Sequence, residues 1–157
     1  MHLHRVGFRL PTEAEWEFVC RSGTGTAYSF GHDVELLDRY GWFLKNSGDW
    51  SPTTAELRPN PRGLFDMYGS LYEWCHDWYN DGELSDETDP VGVETGSNRV
   101  YRGGSWHEPA RRCRSSYRNW FVPANRNNSL GFRLATVPPS RVPEAGESAS
   151  VEDSAGR

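Results

Sequence analysis

Cysteine is scarce in this 157-residue chain, which carries only Cys20, Cys75 and Cys113. An odd count leaves at least one thiol outside any intrachain disulfide. No CxxC pair is present, which argues against a structural zinc site, because such sites draw two thiolates from one tight turn. The three read as buried thiols of a reducing compartment, with a Cys75–Cys113 bridge left open. Long apolar runs are also missing, and the mean hydropathy is −0.77. No segment is long and apolar enough to cross a bilayer as a helix. Met1 to Arg9 contains no apolar core of a signal peptide, so the chain as given is expected in the cytoplasm.

Aliphatic content is modest, yet there are 7 Trp, 7 Tyr and 7 Phe, together with 16 Gly and 10 Pro. The length fits one domain with a real core. The composition suits a loop-rich fold built around aromatic clusters, since long helices favour Ala, Leu, Lys and Glu. Net charge is −5, unevenly spread. From Val100 to Ala135 seven arginines stand against one acid, Glu108. Such a block suits an anionic partner. The simpler reading is internal: the arginines pair with Asp66, Glu73 and Asp77 or bond loop carbonyls. Nucleic acid is not the expected partner.

"GFRL" reads as a strand. "PTEAEWEFVCRSG" reads as a short helix, with Thr12 and Glu15 at capping-box spacing, Ala14, Phe18 and Val19 toward one side, and Gly23 as terminator. The stretch 24–62 is irregular, punctuated by Gly, Pro, Asn and Asp. Asn60-Pro61-Arg62-Gly63 is a turn signal. "LFDMY" and "LYEWCHDWY" read as two short strands joined around Gly69-Ser70. "RVYRGGSW" and "LGFRLATV" read as further strands. After Val137 the composition turns to Pro, Ser, Ala, Glu and Gly without aromatics. The expected organisation is therefore a domain over 1–137 and a disordered tail over 138–157.

Four blocks in one order, "FRLPTEAEWEF", "NPRGLFDMYGSLYEWCHDWY", "RVYRGGSW" and "LGFRLA", resemble the formylglycine-generating enzyme family, also called sulfatase-modifying factor domains. The resemblance covers about Phe8 to Ala135. It implies an irregular, loop-rich α+β fold of the C-type-lectin-like kind, with short strands and few helices. It also implies another strand and helix before the "RLPTEAEWE" block. Both are missing here, so the chain is expected to be truncated at its start or a fragment of a longer gene, which would leave apolar surface uncovered. Catalytic members place a cysteine three residues after the serine of GGS and a second one five further on. That thiolate pair holds copper(I), a soft ion that such ligands suit. Here Glu108 stands three after Ser105, and a gapless count puts Cys113 at the second position. Glu108 and Cys113 are thus the only catalytic candidates, and they do not make the pair. Copper is not expected.

"GGSWHEPARRCRSSYRNWFVPANRNNSLGFRLA" further resembles the variable region of diversity-generating retroelement target proteins, which display variable side chains on a fixed frame. Similar segments also sit beside bacterial kinase domains. On that model the frame is Gly103, Gly104, Ser105, Trp106, Arg118, Asn119, Gly131, Phe132 and Arg133. Display falls to His107, Glu108, Pro109, Arg112, Ser116, Tyr117, Trp120, Phe121 and Val122.

The bland readings compete at each residue. Gly103 and Gly104 could cradle an anion, but turning the chain beside a packed Trp explains them as well. His107 with Glu108, or His76 with Asp77, could be acid–base pairs, yet neighbours on a strand face opposite ways. Family members bind calcium near the motif written here "GSLYEW", through hard oxygen ligands. Ser70 replaces the expected asparagine, Leu71 offers a carbonyl and Glu73 an acid. Otherwise Glu73 pairs with a core arginine. Tyr117, Arg118, Trp120 and Phe121 are side chains typical of binding hot spots, unless one of the rings plugs the core. Trp16, Phe65, Trp74, Trp106 and Phe132 are expected to be buried.

The expected function is a non-catalytic binding module for a protein or small-molecule ligand. Its binding residues are His107, Glu108, Arg112, Tyr117, Arg118, Trp120 and Phe121. The alternative is a formylglycine-generating-type oxidase of a sulfatase cysteine, or another oxidoreductase of the family, and the missing cysteine pair discriminates against it. A third reading, a fragment without function, turns on whether the chain folds.

Overall fold

The computed structural model describes residues 7–48, 52–81, 90 and 92–137. The expected tail over 138–157 lies outside them. The order is β1 (Gly7–Arg9), α1 (Glu13–Arg21), a 3-10 turn (Val34–Arg39), β2 (Gly41–Trp42), β3 (Tyr68–Gly69), β4 (Tyr72–Trp78), β5 (Arg99–Arg102), a 3-10 turn (Ala110–Arg112), β6 (Asn119–Phe121), β7 (Leu130–Gly131) and β8 (Ala135–Val137). This is the loop-rich α+β architecture that the four sequence blocks imply. No helix among the described residues is long and apolar enough to cross a membrane.

Helix α1 starts where its sequence dictates. Thr12 accepts the Glu15 N–H, and Glu15 reaches back to the Thr12 N–H at 2.8 Å, so two orphan donors are satisfied. It ends one residue earlier than the Gly23 signal, with Ser22 left-handed. Its buried face is not the one the apolar residues suggest. Glu13, Trp16 and Cys20 point inward. Phe18 is exposed and lies under the Arg62 guanidinium, 4.4 Å from its ring centre.

Strands β6-β5-β4-β7 form a mixed sheet in that order, with β4 antiparallel to β5 and parallel to β7. Strand β1 pairs with β8. "LFDMY" and "LYEWCHDWY" do not pair with each other. Tyr68-Gly69 instead runs parallel to Gly41-Trp42. Two glycines make that possible. A Cβ on Gly41 would lie 1.8 Å from the Tyr68 carbonyl oxygen, and one on Gly69 1.9 Å from that of Trp42. Gly69 and Ser70 then take positive φ, 78° and 57°, and swing the chain into β4.

The core holds Trp16, Cys20, Leu37, Met67, Tyr68, Cys75, Val100 and Cys113. The three cysteines are buried and unbridged, so the Cys75–Cys113 disulfide left open by the sequence does not form. Of the aromatics expected inside, only Trp16 is fully buried. Trp74 and Trp106 are half-buried. Phe65 and Phe132 are exposed, at 38% and 65%, and line one surface cleft together.

The arginine block is mostly internal, but with partners other than two of those expected. Arg102, fully buried, bonds Glu17 and lies 3.5 Å from Glu13. Arg118 grips Glu13, Arg133 grips Glu73 and Arg112 grips Glu108. Asp77 instead accepts the Glu13 N–H at 2.7 Å, and Asp66 the Ala55 N–H. The helix acids Glu13 and Glu17 take the arginine charge because α1 packs directly on β4 and β5.

Candidate functional site

Strand β4 alternates as a half-buried strand does. Glu73, Cys75 and Asp77 are buried, while Trp74, His76 and Trp78 are half-buried. In β5, Val100 and Arg102 are buried and Arg99 and Tyr101 are not. The outer face of the sheet therefore carries an aromatic row. Tyr101 stands edge-on to Tyr72 at 4.6 Å and to Trp74 at 5.6 Å, and Arg99 lies 3.6 Å over the Trp78 ring. Sequence reading missed this face, although the alternation in "YEWCHDWY" was its signal.

At one end of the row stands Glu108. The Tyr72 hydroxyl donates to it at 3.2 Å, and an Arg112 nitrogen bonds both carboxylate oxygens at 2.9 Å. Burial, then the Glu108 charge, raises the Tyr72 pKa far above the phenolic range, so it remains a donor. Glu108 is itself buried rather than displayed. It is walled off by its arginine and tyrosine partners.

Cys113 packs under Gly104, whose φ is +77°, where a Cβ would come within 2.6 Å of its sulfur. Burial, then the Glu108 charge, pushes this thiol up to about 12. Burial thus disfavours its free thiolate form. One buried thiol and one ion-paired carboxylate do not make the thiolate pair that suits copper(I).

The two acid–base pairings are not assembled. His107 is exposed against Trp106, 5.0 Å between rings, while Glu108 turns inward. His76 and Asp77 likewise occupy opposite sides of β4.

Ser70, Leu71 and Glu73 do share one cleft of about 390 Å3, and Asp66, which the sequence reading did not place there, joins them. The donor set does not fit calcium well. Arg133 bonds both Glu73 oxygens and the Trp16 indole N–H takes one of them again at 2.7 Å. A cation would have to displace a guanidinium.

The segment after β5, through β6, divides cleanly. Trp120, Phe121 and Val122 are 42%, 47% and 46% exposed, and with Asn98 they line a cleft of about 210 Å3. Tyr117 is half-buried. Arg118 does not join the display, because its guanidinium is turned onto Glu13 at 2.6 Å. Arg111 and Arg114 are exposed instead. Trp120 also leans on Tyr79, 5.0 Å between rings. Trp120→Ala is thus expected to cost about 1 kcal/mol through that pair. Phe121→Ala should stay within about 0.5 kcal/mol, as surface changes do. Urea melts measure both, and a loss near about 3 kcal/mol in either would put that ring in the core.

Residues 3–137 match the family model described as a sulfatase-modifying factor enzyme 1-like domain. The chain is 36% identical over 147 residues to the formylglycine-generating enzyme of Streptomyces coelicolor, covering 83% of this chain and 47% of that protein. It is 36% identical over 135 residues to the serine/threonine-protein kinase pkn1 of Chlamydia pneumoniae, covering 83% of this chain and 21% of the kinase. Among solved structures, Treponema denticola variable protein 1 superposes with a TM-score of 0.83 at 40% identity, over 88% of this chain and 50% of that one. The chain thus spans a fifth to a half of the length of these relatives.

Proposed function

This chain belongs to the sulfatase-modifying factor family, and from that premise we propose that it is a member that binds rather than oxidises. The observation carrying this reading is Glu108, held by Arg112 and Tyr72. It stands where the family resemblance calls for a copper-binding cysteine. Cys113, the one other candidate, is a single buried thiol. The thiolate pair that copper(I) and oxygen chemistry needs is therefore not available. No resident metal is required: Glu73, the acid of the calcium motif, is already charge-neutralised by Arg133.

The contact surface is His107, Arg112, Tyr117, Trp120 and Phe121, with Glu108 and Arg118 fixing the loop from beneath. Aromatic rings give such a surface apolar area with few rotors to freeze. Exposed Arg111 and Arg114 favour an acidic protein or small molecule as partner. The likeness to a variable protein supports the same reading.

A sulfatase-type cysteine peptide incubated with the protein, copper and oxygen is expected to show no formylglycine by mass spectrometry. Formylglycine formed in a yield that Cys113→Ser abolishes would overturn the reading.

A further inference from the structure

A separate cavity of about 260 Å3 opens between Leu10, Trp74, Cys75, His76, Arg99 and Pro123. Its walls are mostly apolar: Leu10, Pro123 and the Trp74 ring. Among the described residues, one permanent charge stands there. Arg99 stacks on Trp78, and among the described residues it has no hydrogen-bonding or ion-pairing acid. The one described carboxylate whose charge acts on it is Asp77. Asp77 belongs to the buried set of β4 and is engaged by the Glu13 N–H at 2.7 Å. Burial accordingly depresses the Arg99 pKa. Arg102, Arg118 and Arg133, in the block that follows, each have a carboxylate in their grip. Arg99 has no such acid among the described residues, and it lines this cavity.

A guanidinium offers a planar fork of donors that matches a carboxylate with two parallel bonds. Desolvation strengthens that pairing. A single fixed charge against apolar walls fits a monoanion. A phosphate dianion would call for a second permanent cation, and none lines this cavity among the described residues. Ligand sites combine an apolar lining with a few placed polar groups in this manner. We propose that the cavity binds a monocarboxylate carrying a compact apolar or aromatic group, with Arg99 gripping the carboxylate and Trp74, Leu10 and Pro123 holding the apolar part. His76 adds a ring nitrogen at the rim. The same chemistry is offered by a free organic acid and by the C-terminal carboxylate of a peptide ending in an apolar residue. This site does not depend on the 107–122 contact surface, so either can fail without the other.

The test is titration calorimetry on the full 157-residue chain. The probes are phenylacetate, phenylacetamide, and a short peptide ending in phenylalanine with its C-terminus free or amidated. Phenylacetate is expected to bind at least about tenfold more tightly than phenylacetamide, the loss of one charge-assisted contact. Arg99→Gln should abolish that preference with its thermal melt unchanged, while Trp120→Ala, at a residue outside the cavity lining, should retain it. The free-acid peptide binding more tightly than phenylacetate assigns a peptide terminus; phenylacetate binding with no peptide bound assigns a free acid. Equal binding of acid and amide, no binding of either acid, or full binding by Arg99→Gln overturns the proposal. The acid–amide comparison uses the unaltered chain, so it decides the matter even if Arg99→Gln does not fold.

Discussion

Trp16→Ala is expected to lower stability by about 3–5 kcal/mol, the range for deleting a large buried aromatic. Trp16 has no exposed surface. Its indole N–H donates to Glu73 at 2.7 Å, and its ring edge fills the space beside Gly103, 3.2 Å from where a Cβ would stand. The substitution therefore opens a cavity and also leaves a buried carboxylate with one donor fewer. The ring is the point at which α1 meets β4 and β5, so little can collapse into the gap. Trp106→Ala is the natural comparison. That ring is half-buried and its N–H reaches Asn128 at the surface, at 3.3 Å, so its loss should cost no more than about half as much. Urea melts of both variants decide the matter. Equal losses would mean that the GGSW tryptophan, not the helix tryptophan, anchors the fold.

The difference between these two tryptophans marks what the sequence could and could not disclose. Local chemistry was legible. The Thr12–Glu15 capping box, the turn at Asn60 and the alternation of "RVYR" each rest on residues a few positions apart, and each appears as expected. What the sequence hid depends on distant partners. Phe65 and Phe132 look like core by residue type, yet both line a surface cleft that also holds the Arg133–Glu73 pair. The β2–β3 pairing rests on two glycines whose meeting no local pattern announces. Arg118 reads as a surface hot spot until the fold brings it to Glu13, 105 residues away in sequence. In the candidate site, Trp120 and Phe121 were legible as an exposed aromatic pair. Glu108 was legible as a departure from the cysteine pattern. Its burial was not, because the Tyr72 that donates to it lies on β4, 36 positions away in sequence.

Glu13 presents the same long-range problem in its sharpest form. An acid at the first position of a helix normally serves the helix dipole from the surface. This one is fully buried. Its carboxylate takes two bonds from Arg118, at 2.6 and 2.8 Å, and lies 3.5 Å from Arg102, which has no exposed surface of its own. Glu13→Ala should therefore cost about 3 kcal/mol, the lower end for breaking a buried ion pair. The lower end applies because Arg102 retains Glu17 and the carbonyls of Ser115, Ser116 and Tyr117. The helix start itself survives, since the residue-13 N–H keeps Asp77 as its acceptor. Glu13→Gln separates charge from shape: it fills the same space but leaves two guanidinium groups facing a neutral amide. It should lose most of what alanine loses, and the loss should persist in 1 M salt, where buried pairs are screened little. The exposed Lys45–Glu35 pair is the control, and Lys45→Ala should change stability by no more than surface pairs usually do. Chemical denaturation at low and high salt measures all three. A Glu13→Gln chain as stable as the parent would show that packing, not charge pairing, fastens α1 to the sheet.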